Sequence, residues 1–164
     1  MDSTASAWHR ALHDPQLRQL PYKIETNAHD QLLLSPHTPA HSLAQSRILR
    51  LLDEHVTEPG EATIEFAVST AQGIKVPGVV WMSEEQLAAL PGDAEASPVM
   101  PALVVEVQSP TNTDAEMEAK RALYLNEGAA EVWIRPPDGA ITIFDASGAR
   151  DQSALAPTFP GTVT

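Results

Sequence analysis

The chain has 164 residues, no cysteine and a formal net charge of -12. That length suits one domain with a sizeable core, even though 24 of its residues are alanine. The lack of cysteine excludes a disulfide scaffold and any thiolate metal centre, and apolar runs such as Val79-Val80-Trp81-Met82 are far too short for a membrane helix.

Residues 5–20 place Trp8, Leu12, Leu17 and Leu20 in amphipathic register, interrupted at Pro15, and predict a helical extension over 1–20. Histidines, charges and prolines fill this stretch, so no secretory leader is expected and a cytoplasmic protein is. Tyr22–Thr26 and Gln31–Ser35 read as two strands of a hairpin around Asn27-Ala28-His29-Asp30. From His41 to His55, Leu43, Ile48, Leu51 and Leu52 mark one face of a helix. Ala62–Ser69 alternates like a half-buried strand, and Val76–Ser83 reads as the next strand despite Pro77. Ser83 with Gln86 has capping-box spacing for a short helix over Glu84–Leu90.

Ala102–Ser109 is apolar on both faces and predicts a central strand. Thr113 with Glu116 repeats the capping box, and Gly128 is the matching helix stop. Glu131–Arg135 and Ala140–Asp145 are strands around the turn Pro136-Pro137-Asp138-Gly139. From Ser147 onward no helix or strand pattern is visible, so 147–164 reads as a C-terminal tail. The expected architecture is α/β, one mixed β-sheet with helices packed on it.

The charge is uneven. Residues 51–119 contain 13 acids and one base, Lys75, while the other residues hold 9 acids and 9 bases. Solvated acids that aid solubility are the plain reading of this excess. A basic stripe for nucleic acid is absent at the whole-chain level; a local patch would have to gather Arg47, Arg50, Lys120 and Arg121.

Phosphate loops, dinucleotide fingerprints, Gly-x-Ser-x-Gly and His-Glu-x-x-His are all missing. His9/His13 and His37/His41 have the i,i+4 spacing that can hold a metal on a helix. The second pair brackets Pro39, and neither pair has a third ligand nearby in sequence, so no metal is assigned to them. Glu106 is more informative. It sits mid-strand on an otherwise apolar face, where a carboxylate needs a cation, a donor or a metal. On the following helix Lys120 falls within about 60° of Met117 and Tyr124, so it faces the sheet that carries Glu106. Glu106, Gln108 and Lys120 together could hold a divalent metal and a phosphate near one another.

The run Pro101-Ala-Leu-Val-Val-Glu-Val-Gln-Ser-Pro110, followed by Lys120, Tyr124, Gly128 and Glu131-Val-Trp-Ile134, resembles the Uma-type restriction endonucleases of the PD-(D/E)XK nuclease superfamily. Tyr22-Lys-Ile-Glu25, Leu34-Ser-Pro36, His41, Val76-Pro77, Ile141–Phe144 and Phe159-Pro-Gly161 fit the same layout in order. The resemblance spans residues 20–161 and implies a restriction-endonuclease-like domain over 21–146. It also implies Mg²⁺- or Mn²⁺-dependent cleavage of DNA, and cutting two strands favours a homodimer. By position, Glu106 becomes the metal-binding acid, Gln108 stands where that motif has lysine, and Lys120 becomes a lysine migrated to the helix. Glu25 becomes the early glutamate. Two departures stand out: Gly78 and Ala102 occupy places where the family has aspartate. The expectation is therefore a nuclease fold with reduced or lost cleavage, which takes Mg²⁺ or Mn²⁺ only if it is active. The competing expectation is an active endonuclease with Glu25 or Glu65 as the substitute metal ligand.

Overall fold

The computed structural model describes residues 6–164. In chain order it contains α1 (Ala7–His13), α2 (Pro15–Arg18), β1 (Tyr22–Thr26), β2 (Leu32–Pro36) and α3 (Pro39–His55). These are followed by β3 (Gly60–Ile64), β4 (Val68–Thr70), β5 (Gly73–Lys75), β6 (Val79–Ser83) and α4 (Glu84–Ala88). The remainder is β7 (Leu103–Val107), α5 (Asp114–Asn126), β8 (Glu131–Arg135), β9 (Thr142–Asp145) and β10 (Gly148–Arg150). Six strands make one mixed sheet in the order β10-β9-β8-β7-β6-β3, and β1-β2 and β4-β5 form two separate hairpins. Within this sheet, among the described residues, only the β7–β8 pair is parallel, joined across α5. Among the described residues no helix is long and apolar enough to cross a membrane.

Local chemistry sets the element ends. Thr113 and Glu116 close a reciprocal capping box at the start of α5, as Ser83 and Gln86 do for α4. Gly128 ends the α5 region at φ +112°, a conformation glycine adopts without steric cost. Asp14 separates α1 from α2 and accepts from the Gln16 N–H at 2.8 Å, so the predicted single N-terminal helix is two short ones. Its part before residue 6 lies outside the described residues.

Both faces of the sheet are covered. Leu103, Val105 and Val107 of β7 join Val79, Trp81 and Trp133 against Ile48 and Leu52 of α3. Val104 joins Val80 and Val132 against Tyr124 of α5 on the other face. β7 is buried along its whole length, as a strand between two helical layers must be.

Three sequence expectations are corrected here. Ala62–Ser69 is not one strand: β3 stops at Ile64 and β4 starts a different sheet at Val68. Between them Glu65 takes φ +52°, which breaks the alternation. Residues 76–78 do not belong to β6, because β5 ends at Lys75 and the chain crosses Pro77-Gly78 before pairing resumes. The C-terminal segment is not a loose tail. It forms β10 against β9, and Ala156 and Val163 enter the core.

Candidate active site

Glu106 lies on β7 and is 3% exposed. Its Oε1 accepts a hydrogen bond from the Tyr124 hydroxyl at 2.7 Å and another from Lys120 Nζ at 3.4 Å. Both donors sit on α5, one turn apart, on the side that packs on the sheet. Among the described residues Glu106 Oε2 has no protein hydrogen bond, and it is not sealed from solvent. Glu106 lines a cleft of about 190 Å³ together with Lys23, Ser35, His41, Asn112 and Lys120 among others.

Glu25 enters from the β1 hairpin and is 5% exposed. Both of its oxygens accept from Lys120 Nζ at 3.2 Å. Its Oε1 also accepts the Val76 N–H at 2.8 Å and lies 3.5 Å from Lys23 Nζ. Side chains and backbone lace β1 to residues 74–76. Lys23 Nζ donates to Val76 O at 3.2 Å, Lys75 Nζ to Thr26 O at 2.8 Å, and the Ile74 N–H to Thr26 Oγ1 at 2.8 Å. One ammonium group, Lys120, therefore bridges two buried carboxylates that arrive from different sheets.

The electrostatics follow from this packing. Burial alone would raise the Glu25 pKa, but Lys120, Lys23 and the Val76 N–H outweigh it and hold the carboxyl below its ordinary value. Burial would lower the Lys120 pKa, yet Glu106 and Glu25 push it well above the ordinary lysine value. Burial, reinforced by Glu106 and Glu25, drives the Tyr124 hydroxyl pKa well up, so the phenol stays a donor. Burial lowers the His41 pKa, and Lys23 and His37 add to that, against the opposing pull of Glu106. Burial also lowers the Lys75 pKa, partly offset by Glu25.

The sequence candidates separate into two groups. Glu106, Lys120 and Glu25 come together. Gln108 and Glu65 stand apart. Gln108 Nε2 donates to Asp114 Oδ1 at 3.0 Å and lines a different cavity, beside Arg121 and Phe144. Glu65 is exposed and lines a larger cleft of about 600 Å³ next to α1 and α2. That cleft is bigger, but the buried charges lie in the smaller one, and the chemistry follows them. Arg47 and Arg50 flank the C-terminal Thr164, and Arg121 stacks 4.5 Å from the Phe144 ring centroid. Arg47 and Arg50 line one cavity, Arg121 a second and the half-buried Lys120 a third.

The two departures from the aspartate pattern differ in weight. Ala102 precedes β7 by one residue, about 13 Å of strand from Glu106, so a carboxylate there could not share a ligand with it. Gly78 is close: the antiparallel pairing of Val79 with Val105 leads toward Glu106. A Cβ at Gly78 would lie 3.3 Å from Val105 O and 3.4 Å from both Gln45 Nε2 and Val107 Cγ2.

The family profile described as "Putative restriction endonuclease", Uma2, matches residues 14–164. The chain belongs to the Uma2 family. Its fold is similar to the crystal structure of a "putative nuclease belonging to DUF820" from Anabaena variabilis ATCC 29413. The TM-score is 0.64 at 16% identity, over 78% of this chain and 76% of that one. No protein among the curated ones matches. The shared feature with the Anabaena protein is thus the mixed-sheet fold, and the family membership rests on sequence.

Two residues outside the sequence-derived site candidates join the cluster, and both carry a local signal. Lys23 lies two residues from Glu25, so strand alternation puts both on one face. Tyr124 follows Lys120 by four residues, so it occupies the same helix face. Lys75 carried no such signal, because its partner Thr26 is 49 residues away.

Proposed function

We propose that this chain is a restriction-endonuclease-like DNA-processing domain whose phosphodiester cleavage is reduced or lost. The observation that carries the reading is the place of the Lys120 ammonium, 3.2 Å from Glu25 Oε2 and 3.4 Å from Glu106 Oε1. A divalent cation held between those carboxylates would have to displace it. Hard cations are held by oxygen ligands, and affinity follows their charge and number. Of the two Glu106 oxygens, only Oε2 has no hydrogen bond among the described residues. Gly78 supplies no carboxylate beside it. The residues present therefore fit Mg²⁺ or Mn²⁺ poorly, and no step through a metal is derived.

What the cleft can do is bind phosphate. Lys23, Ser35, Asn112 and neutral His41 line it as donors or adaptable polar groups. The second reading, cleavage with Glu25 in place of the aspartate, draws on one observation: Glu25 shares Lys120 with Glu106. Glu65 has no such support.

The test is incubation of purified protein with plasmid and single-stranded DNA in Mg²⁺ or Mn²⁺, beside Glu106→Ala, Glu25→Gln and Gly78→Asp. The reading expects no nicking by the wild type above the Glu106→Ala background. Wild-type nicking that both Glu106→Ala and Glu25→Gln abolish would establish the second reading instead. Activity that appears only in Gly78→Asp would mark the lost aspartate as the missing part.

A further inference from the structure

We propose that His9, His13 and Glu95 form a zinc-binding site, with water in the fourth position, separate from the Glu25–Glu106–Lys120 cluster. His9 Nδ1 and His13 Nε2 each lie 2.8 Å from the same oxygen, Glu95 Oε1. All three ligand atoms fall within 4.8 Å of one another, and all three residues are exposed. The two rings stand with centroids 4.3 Å apart, tilted by 39°.

Zinc takes imidazole nitrogen and carboxylate oxygen at about 2.0–2.2 Å, so ligand atoms in a tetrahedral site are roughly 3.3 Å apart. The two nitrogen–oxygen distances of 2.8 Å need to open by only about half an ångström to admit the ion, and the two nitrogens already lie within 4.8 Å of each other. Each imidazole would shift its proton to its other ring nitrogen and present a lone pair to the metal. Two histidines and one glutamate with an open fourth position is a ligand set zinc uses in sites that keep a bound water.

The ligands sit on elements that are already fixed. Ser6 caps α1 by accepting the His9 N–H at 3.2 Å, and Asp30 accepts the Ala7 N–H at 2.9 and 3.0 Å. Trp8 Nε1 donates to the Glu95 carbonyl at 2.9 Å, which ties the glutamate's loop directly to the helix that carries both histidines. Two residues further on, the Ser97 N–H donates to Ala67 O at 2.8 Å, and Ser97 O accepts the Ser69 N–H at 2.9 Å. The i,i+4 histidine spacing was visible in the sequence. The third ligand lies 82 residues from His13 and becomes visible only in the fold.

The test is a titration of the untagged full chain with Zn²⁺ by calorimetry, repeated with Co²⁺ followed by its visible absorption. The expected result is one equivalent bound and a tetrahedral Co²⁺ spectrum. His13→Asn and Glu95→Gln should each weaken binding at least about tenfold, since even outer partners of metal ligands cost about 10- to 100-fold. His29→Asn and His41→Asn should leave it unchanged. Circular dichroism checks that each variant is folded. No binding by the wild type, binding indifferent to His13→Asn and Glu95→Gln, or binding lost with His41→Asn would each overturn the proposal.

Discussion

Replacing Lys120 by methionine keeps most of the apolar stem and removes the ammonium that bridges Glu25 and Glu106. The lysine makes contacts of 3.2 and 3.4 Å, and the three side chains are only 19%, 6% and 3% exposed. At an effective dielectric of about 20, each contact corresponds to about 5 kcal/mol of attraction. Desolvation cancels much of that, and removing one partner of a buried pair typically costs about 3–5 kcal/mol because the remaining charge is left unpaired. For a domain of this size about 2–4 °C of Tm accompanies each kcal/mol, so thermal unfolding at neutral pH should drop by roughly 6–20 °C. The pH dependence has a definite sign. Lys120 is the largest influence lowering the Glu25 pKa, against burial, which raises it. Without the lysine, folded Glu25 takes up protons more readily, so the deficit of the variant should shrink as pH falls toward the ordinary carboxylate range. Circular dichroism melts at neutral and acidic pH measure both quantities. A melting temperature within about 2 °C of wild type at neutral pH, or a deficit that grows on acidification, would refute the argument.

Further outcomes follow from the same geometry. Tyr124→Phe removes a buried 2.7 Å hydrogen bond to Glu106 and should cost about 1.5–3 kcal/mol in urea unfolding; no measurable change would mean the hydroxyl contributes nothing to the cluster. Glu25 is held below its ordinary pKa, so its stabilisation is present above about pH 4.3 and fades as pH falls through the lower folded value. Glu25→Gln should therefore be less stable at neutral pH and show a shallower acid limb, and an unchanged limb argues against the ion pair. Lys120 has the opposite sense: its contribution is complete below about pH 10.4 and is lost only as pH rises through its raised folded value. Glu131 accepts from Trp133 Nε1, the Ser153 hydroxyl and the Ala154 and Leu155 N–H groups at 2.7–3.2 Å. Glu131→Leu should cost at least about 2 kcal/mol and expose residues 153–155 to proteolysis; resistance equal to wild type would contradict that anchoring role.

The sequence was most legible where a local pattern and a tertiary fact coincide. Helical arithmetic placed Lys120, Met117 and Tyr124 on one face, and that face does pack on β7; Met117 is 5% and Tyr124 0% exposed. The unpartnered look of Glu106 on an apolar strand was a correct sign of partners elsewhere. Capping boxes at Ser83 and Thr113 fixed two helix starts because every atom involved lies within four residues. Legibility failed where the chain does something alternation cannot encode. Glu65 adopts a left-handed conformation in a segment that alternates perfectly by residue type, so β3 and β4 read as one strand. It also failed across distance. Glu25 reaches Lys120 over 95 residues and entered the site only through the family likeness. Gln108 has the spacing of a site residue but turns to Asp114, because a carboxylate at the α5 N-terminus is the nearer acceptor.

The central claim is that Lys120 already occupies the place a catalytic divalent cation would need. Mn²⁺ binding followed by electron paramagnetic resonance tests it directly. The titration is done in a His13→Gln background to remove the other candidate metal site, with and without Glu106→Gln. If the lysine holds that place, the two titrations superimpose. A Mn²⁺ site present in the first protein and lost with Glu106→Gln would contradict the account.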